Sequence, residues 1–190
     1  MLITRQNLKK YIQEAQKDID EPVDIIIVGG AAVLVLCPSG TATRDIDTLS
    51  TDNIDSFIKA MKKAATRLED HPIDVNTRSD PFEIHMPRDW RDHLVLSSEF
   101  STPMIKIITP RPEDLAVAKV FRFQAKDAED IKKLASLKQF DRSRFLDGFL
   151  DVLAVAIGDR HWHAQSFVMA YNGLYKDEHL DEDTLLSKME

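Results

Sequence analysis

The 190-residue chain predicts a mixed α/β (α+β) fold, and three observations carry that prediction. A continuous β-branched run, Val23 to Val28, is followed at once by the glycine pair Gly29-Gly30. Helical and extended periodicities then alternate as far as Ile108, and from Arg111 onward the composition is helical throughout. Residues 1–110 are therefore expected to form a core with a mixed β-sheet flanked by helices, and residues 111–190 a helical C-terminal region packing on it.

Taken in order, Leu8, Tyr11, Ile12 and Ala15 recur at three- and four-residue spacing, so residues 4–18 predict an amphipathic helix ending near Asp20 and Pro22. Val23 to Val28 reads as a strand covered on both faces. Ala31 to Leu36 is a short apolar helix stopped by the loop signal Pro38-Ser39-Gly40, and Ile46 to Ser50 is a second strand. Asp52 is placed to cap the next helix, whose apolar positions Ile54, Phe57, Ile58, Met61, Ala65 and Leu68 keep helical period up to His71-Pro72. The segments IDVN, PFEIHMP, HLVL and MIKIIT read as further strands of one mixed sheet. Helices are expected near 112–125, 127–138, 142–157 and 161–181, with the acidic end DEDTLLSKME fraying.

Composition excludes several classes of function. A formal net charge of −7 and a pI near 5.4 argue against a general polyanion-binding surface and leave only a local basic patch, for which the Lys119 to Lys133 region is the candidate. Cys37 is the single cysteine, so neither a disulfide framework, nor a disulfide-linked partner, nor a thiolate zinc site is expected, and a reducing cytoplasm suits the chain. The first residues carry charge where a signal peptide needs an apolar core, and no run approaches the roughly 18 apolar residues of a membrane span. A cytoplasmic protein with no membrane partner is the expectation. Ser97 and Ser98 lack a nucleophile-elbow context, and neither a G-x-x-x-x-G-K-[ST] loop nor a G-x-G-x-x-G fingerprint occurs. Kinase, P-loop and dehydrogenase readings fall away.

The chemistry centres on Asp45 and Asp47. On a strand, residues i and i+2 share a face, so both carboxylates project together while Ile46 points into the core. Paired hard oxygen ligands suit Mg²⁺, which keeps several waters and fills its remaining positions with substrate phosphates. The glycine pair complements them, because side-chain-free backbone at a helix start lets N–H groups approach a phosphate closely. Together they would hold a nucleoside triphosphate for in-line nucleotidyl transfer. Each piece alone has a plainer reading: a Gly-Gly turn as βα packing, an Asp-x-Asp as a solvated edge or a helix-capping approach. Their combination, in this order, is more specific.

The arrangement V-G-G, short helix, T-x-T-x-D-I-D resembles the signature of the DNA polymerase β-like nucleotidyltransferase superfamily, hG[G/S] followed by Dh[D/E]h. It is most similar to the abortive-infection AbiEii-type nucleotidyltransferases and their small relatives, whose R-x-T-x-D-x-D stretch is matched by Thr43, Asp45 and Asp47, with Thr41 standing where the Arg usually is. A second block, EDLAVAKVFRFQAKDAEDIKKL, resembles the helix of that group that bears a Lys, later basic residues and a D-x-x-D pair: Lys119, Arg122 and Lys126, then Asp127 and Asp130. There, an Ala and an Arg of the group's pattern fall on Arg122 and Lys126. Spacing of i, i+3 and i+7 would set the three cations on one helix face toward a triphosphate. The same residues also read as an ordinary solvated face, with Asp127 as an N-cap and Asp130 in the first turn.

The resemblance implies a minimal nucleotidyltransferase core that transfers NMP from an NTP, with Mg²⁺ or Mn²⁺, to a macromolecular acceptor such as tRNA or protein. It implies metal ligation by Asp45 and Asp47, and a third carboxylate on a neighbouring strand as metal ligand or general base for the incoming hydroxyl, for which Asp74 is the candidate and Glu83 the next. It implies catalytic roles for Lys119 and Asp130, and nucleotide contacts from Gly29, Gly30, Thr43, Arg44, Lys119, Arg122, Lys126 and Asp127. It also implies a toxin or phage-defence role with an antitoxin partner protein. The alternative is a catalytically degenerate module that binds nucleotide or a partner, motivated by Thr41 and by the unassigned third acid. A structural α/β protein with decorative surface acids is the bland third reading.

Two other constellations carry less. His161 and His163 diverge by about 200° on a helix and cannot chelate one ion, so His161-Trp162-His163 reads as a helix start with an aromatic anchor. RDWRDH, residues 88–93, reads as a solvated loop with a buried Trp rather than a base-stacking pocket.

Overall fold

In a computed structural model, which describes residues 2–39, 42–49, 51–78 and 85–189, the chain divides into two compact units. One comprises Met1–Pro81 with His93–Arg111, and the other Phe82–Asp92 with Pro112–Glu190.

The first unit runs α1 (Arg5–Ala15), β1 (Val23–Val28), α2 (Gly29–Leu36), β2 (Asp45–Leu49), α3 (Ile54–Arg67), β3 (Asp74–Arg78), β4 (Val95–Leu96) and β5 (Ile105–Thr109). Its five strands make one mixed sheet in the order β3-β2-β1-β5-β4. β1 is parallel to β5 and antiparallel to β2, while β2 is parallel to β3 and β4 antiparallel to β5. β1 is central and buried apart from exposed Asp24, which is why Ile25 to Val28 is an unbroken β-branched run. Leu8, Tyr11, Ile12 and Ala15 on α1 and Phe57, Ala60, Met61, Ala64 and Ala65 on α3 are the buried faces of these two helices. Arg67 ties α3 to the end of α1 through Glu14 Oε1 at 2.6 Å and Asp18 Oδ2 at 2.5 Å.

Helix α2 is buried from Ala31 to Val35, and both its ends are fixed from outside. At its C-terminus Arg5 donates to the Val35 carbonyl at 2.8 Å and to that of Leu34, supplying orphan acceptors with a cation. The Cys37 N–H donates to Val33 O at 2.8 Å, and the Cys37 side chain is buried. The helix begins at Gly29 itself rather than at Ala31. Asp52 does not cap α3; the N-cap is Asn53 in the left-handed region at φ 65°, a conformation that Asn tolerates better than most residues. Of PFEIHMP, residues 81–84 lie outside the described residues, and His85 to Pro87 do not form a strand.

The second unit contains α4 (Pro112–Arg122), α5 (Ala125–Ala135), α6 (Arg142–Leu153), α7 (Arg160–Leu174) and α8 (Glu182–Ser187). Its core is aromatic: the Phe149 and Phe167 rings stack at 4.2 Å between centroids, Phe145 meets Phe167 at 4.9 Å and Phe121 meets Phe149 at 5.3 Å. Residues 85–92 join this unit because Arg88 N donates to Asp151 Oδ2 at 2.8 Å and Asp89 pairs with Arg144. Trp90 is buried, with the Arg91 guanidinium 4.6 Å from its ring centre. The expected 161–181 helix ends at Leu174, and residues 182–187 form α8 instead of a frayed end, capped by Asp181 and anchored by buried Leu185. At the start of α7, Asp159 caps the helix and His163 is the buried aromatic, while Trp162 is 46% exposed.

The Lys119 block departs from its expected geometry. The three cations do not share one helix, because Phe123 adopts φ 38°, ends α4 by donating to Lys119 O at 2.8 Å, and hands over to α5. Gln124 is the N-cap of α5, and Asp127 is its third helical residue, closing a capping box by accepting from Gln124 N at 3.0 Å. Lys119, buried on α4, donates to Asp130 Oδ2 at 2.8 Å and to Asp127 Oδ1 at 3.3 Å. Arg122 grips both oxygens of Asp127, at 2.8 and 2.5 Å. These pairs clip α4 to α5. Burial pushes the Asp127 carboxyl up, but the Arg122 guanidinium, the Gln124 N–H and the Lys119 ammonium outweigh it and hold it below the usual range.

Such a carboxyl lends its stability above the unfolded value, about 3.9, and loses it as pH falls through the depressed folded value. Melting curves of the wild type between about pH 5 and 3 are therefore expected to fall more steeply than those of Asp127→Asn. Parallel curves would show that the clip contributes nothing to acid sensitivity.

Candidate functional site

The antiparallel pairing of β1 with β2 sets Val28 opposite Asp47, so the carboxylate of Asp47 meets the chain where β1 turns into α2. Gly29 makes that turn at φ +62°, a left-handed conformation that costs other residues about 1–2 kcal/mol. A Cβ on Gly29 would stand 2.9 Å from Asp47 Oδ2, inside van der Waals contact. The dihedral favours glycine, and a Cβ there would also make the Asp47 carboxylate give way. Val28 occupies the N-cap of α2 and has no side-chain oxygen, so the first-turn N–H groups depend on acceptors from outside the helix. Their partial positive charge favours an anion at this end.

Strand β2 alternates as expected. Asp45 and Asp47 are half-exposed, whereas Ile46, Thr48 and Leu49 are buried. Its parallel pairing with β3 brings Asp45 opposite Asp74 and Asp47 opposite Asn76. Residues in register share a face, so three carboxylates and one amide form a grid of four side chains on adjacent strands about 4.8 Å apart. Asn76 Nδ2 donates across the grid to Asp45 Oδ2 at 3.1 Å. The sequence reading did not include Asn76, although its two-residue spacing from Asp74 marks the same face.

Gly29, Gly30, Asp45, Asp47 and Asp74 are therefore gathered at one end of α2 and on the β2–β3 face of the first unit. Thr43 is buried, and its backbone bridges to Ile3 with N···O distances of 2.6 and 3.0 Å, so it anchors the approach to β2. Arg44 is exposed immediately before the strand. Thr41 and Glu83 lie outside the described residues. Lys119, Arg122, Asp127 and Asp130 are gathered in the second unit as the α4–α5 clip, with Lys126 exposed in the first turn of α5.

Hard carboxylate oxygens on one face beside helix N–H groups fit a divalent cation and the phosphates that accompany it. Among the described residues, no three His, Cys, Asp or Glu side chains converge to hold an ion by themselves. The donor set fits an ion that takes two protein carboxylates and completes its shell with phosphate oxygens and water.

Two outcomes follow from this geometry. Gly29→Ala is expected to cost about 1–2 kcal/mol from its dihedral alone. In denaturant unfolding it should cost more in the wild type than in an Asp47→Ala background, where the clash is gone. Equal costs would show that Asp47 does not press on the turn. Asp74→Asn, measured in a chelator, should stabilise the first unit by about 0.2–1 kcal/mol, because Asp74 and Asp45 are like charges directly opposite one another. A destabilised variant would mean that the two acids do not repel.

No curated protein and no solved structure matches the chain. Its residues 6–178 do match a protein family described as nucleotidyltransferases of unknown function (DUF6036), which covers both units almost entirely. The glycine turn, the two aspartates on β2 and the mixed sheet that joins them thus belong to a chain of that nucleotidyltransferase family.

Proposed function

We propose that the chain is an Mg²⁺- or Mn²⁺-dependent nucleotidyltransferase that moves NMP from an NTP to a hydroxyl of a macromolecular acceptor, tRNA or protein. One observation carries the reading: the Asp47 carboxylate lies against Gly29 at the N-terminal end of α2, with Asp45 and Asp74 on the same sheet face. An anion seated on the α2 N–H groups would lie within reach of any cation held by those acids.

Asp45 and Asp47 would hold the cation, which would supply charge neutralisation for the phosphates when bound. Gly29 and Gly30 present backbone N–H groups to the triphosphate without steric cost. Asp74, exposed on β3 opposite Asp45, would accept the proton of the attacking hydroxyl at its carboxylate. The acceptor oxygen then bonds to the α-phosphorus as the bond to pyrophosphate breaks, in line. Lys119 is engaged by two aspartates and, with Arg122 on Asp127, shapes the helical unit. The AbiEii-type resemblance supports a defence or toxin role with an antitoxin partner, and we keep that role as part of the proposal.

The test uses wild type and Asp47→Asn with each α-labelled NTP, Mg²⁺ or Mn²⁺, total tRNA and a protein lysate, resolved on denaturing gels. Label transferred by the wild type and lost by at least about a hundredfold in the variant, with melting temperatures within a few degrees, is the expected result. Equal transfer by the variant would overturn the assignment of Asp47. No transfer by the wild type, with NTP and Mg²⁺ still raising its melting temperature, would establish the nucleotide-binding module instead.

A further inference from the structure

The β2–β3 grid contains one side chain without a charge. Asn76 stands beside Asp47 in register, on the face of Asp45 and Asp74, and its amide reaches Asp45 Oδ2 at 3.1 Å. Its backbone is fixed independently: β3 is paired along its length with β2, and the Asn76 carbonyl accepts from the buried Thr48 hydroxyl at 3.3 Å. The amide therefore extends from a held backbone toward a carboxylate whose own terminal torsion is soft.

Building on the function proposed above, we infer that Asn76 is a positioning residue, holding one oxygen of Asp45 so that the other is offered to the divalent cation. The chemistry of the grid explains the choice of side chain. Asp45 is directly opposite one acid and two residues from another, so it needs a donor to fix its orientation. A Lys or Arg in that corner would neutralise the pair and compete with the cation, and an Asp or Glu has no proton to donate. A neutral amide orients the ligand and leaves the charge of the site intact, as partners outside the coordination shell do in metal sites. The two proposed ligands then have different surroundings, Asp47 lying beside the Gly29 turn and Asp45 held by the amide of Asn76.

The experiment is Mn²⁺ binding followed by electron paramagnetic resonance, with Mn²⁺ alone and with Mn²⁺ plus each NTP, on wild type, Asn76→Ala and Asn76→Gln. Asn76→Ala is expected to weaken Mn²⁺ binding by about 10-fold or more at an unchanged melting temperature, and Asn76→Gln, which keeps the amide, to recover most of that loss. Unchanged affinity in Asn76→Ala, or a Gln variant as weak as the Ala variant, overturns the inference. Because the readout is binding, the two proposals fail separately. A wild type that binds Mn²⁺ in an Asn76-dependent way yet transfers no label sinks nucleotidyl transfer and leaves Asn76 in its role. A wild type that binds no Mn²⁺ with or without NTP overturns both.

Discussion

The close approach of Gly29 to Asp47 is the constraint on which the rest of the first unit depends. A central apolar strand has to end, reverse its side-chain pattern and become a buried helix within one residue. A residue without a Cβ does this at φ +62° without strain and without displacing the carboxylate oxygen beside it. Once the turn is made, the length of α2 is set by Arg5 at its far end, and the return of the chain is set by the Thr43–Ile3 bridge. Asp47 then arrives opposite Val28 by pairing alone, and Asp45 and Asp74 follow from the register of β2 and β3.

Electrostatically, the grid works against the fold that carries it. Asp45 and Asp74 are neighbours of like sign on adjacent strands, a pairing that a sheet selected only for stability would avoid. Sites that retain such conflicts are where function is bought with stability. Topology limits the damage. β3 is an edge strand, so its polar face meets water and the repulsion is screened, and the opposite edge, β4, is only two residues long. The second unit handles charge in the reverse way, enclosing Lys119 between two buried aspartates, so that its ions are mutually satisfied.

Much of this was legible in the residues. The β-branched run, the glycine pair and the alternation through Asp45-Ile46-Asp47 announce β1, α2 and β2, because each depends on local side-chain pattern and steric demand. What escaped depends on backbone conformations that such patterns do not announce. Phe123 at a positive φ is uncommon for a bulky side chain, so periodicity ran Lys119, Arg122 and Lys126 together as one helix. Asn53 stands in place of Asp52 at the start of α3 for a similar reason, a left-handed residue that turns the chain into the helix without a side-chain cap bond. The DEDTLLSKME segment is acidic enough to look loose, and only tertiary burial of Leu185 makes it a helix. Asn76 required register, which no single strand reveals about its neighbour.

Cys37, sealed just beyond the last turn of α2, makes that helix observable. It is the chain's single thiol, and its burial means that a thiol reagent reacts only when the end of α2 opens. The glycine turn sits at the other end of the same eight-residue helix. Labelling rates of the native thiol thus report the opening of α2 with no introduced probe.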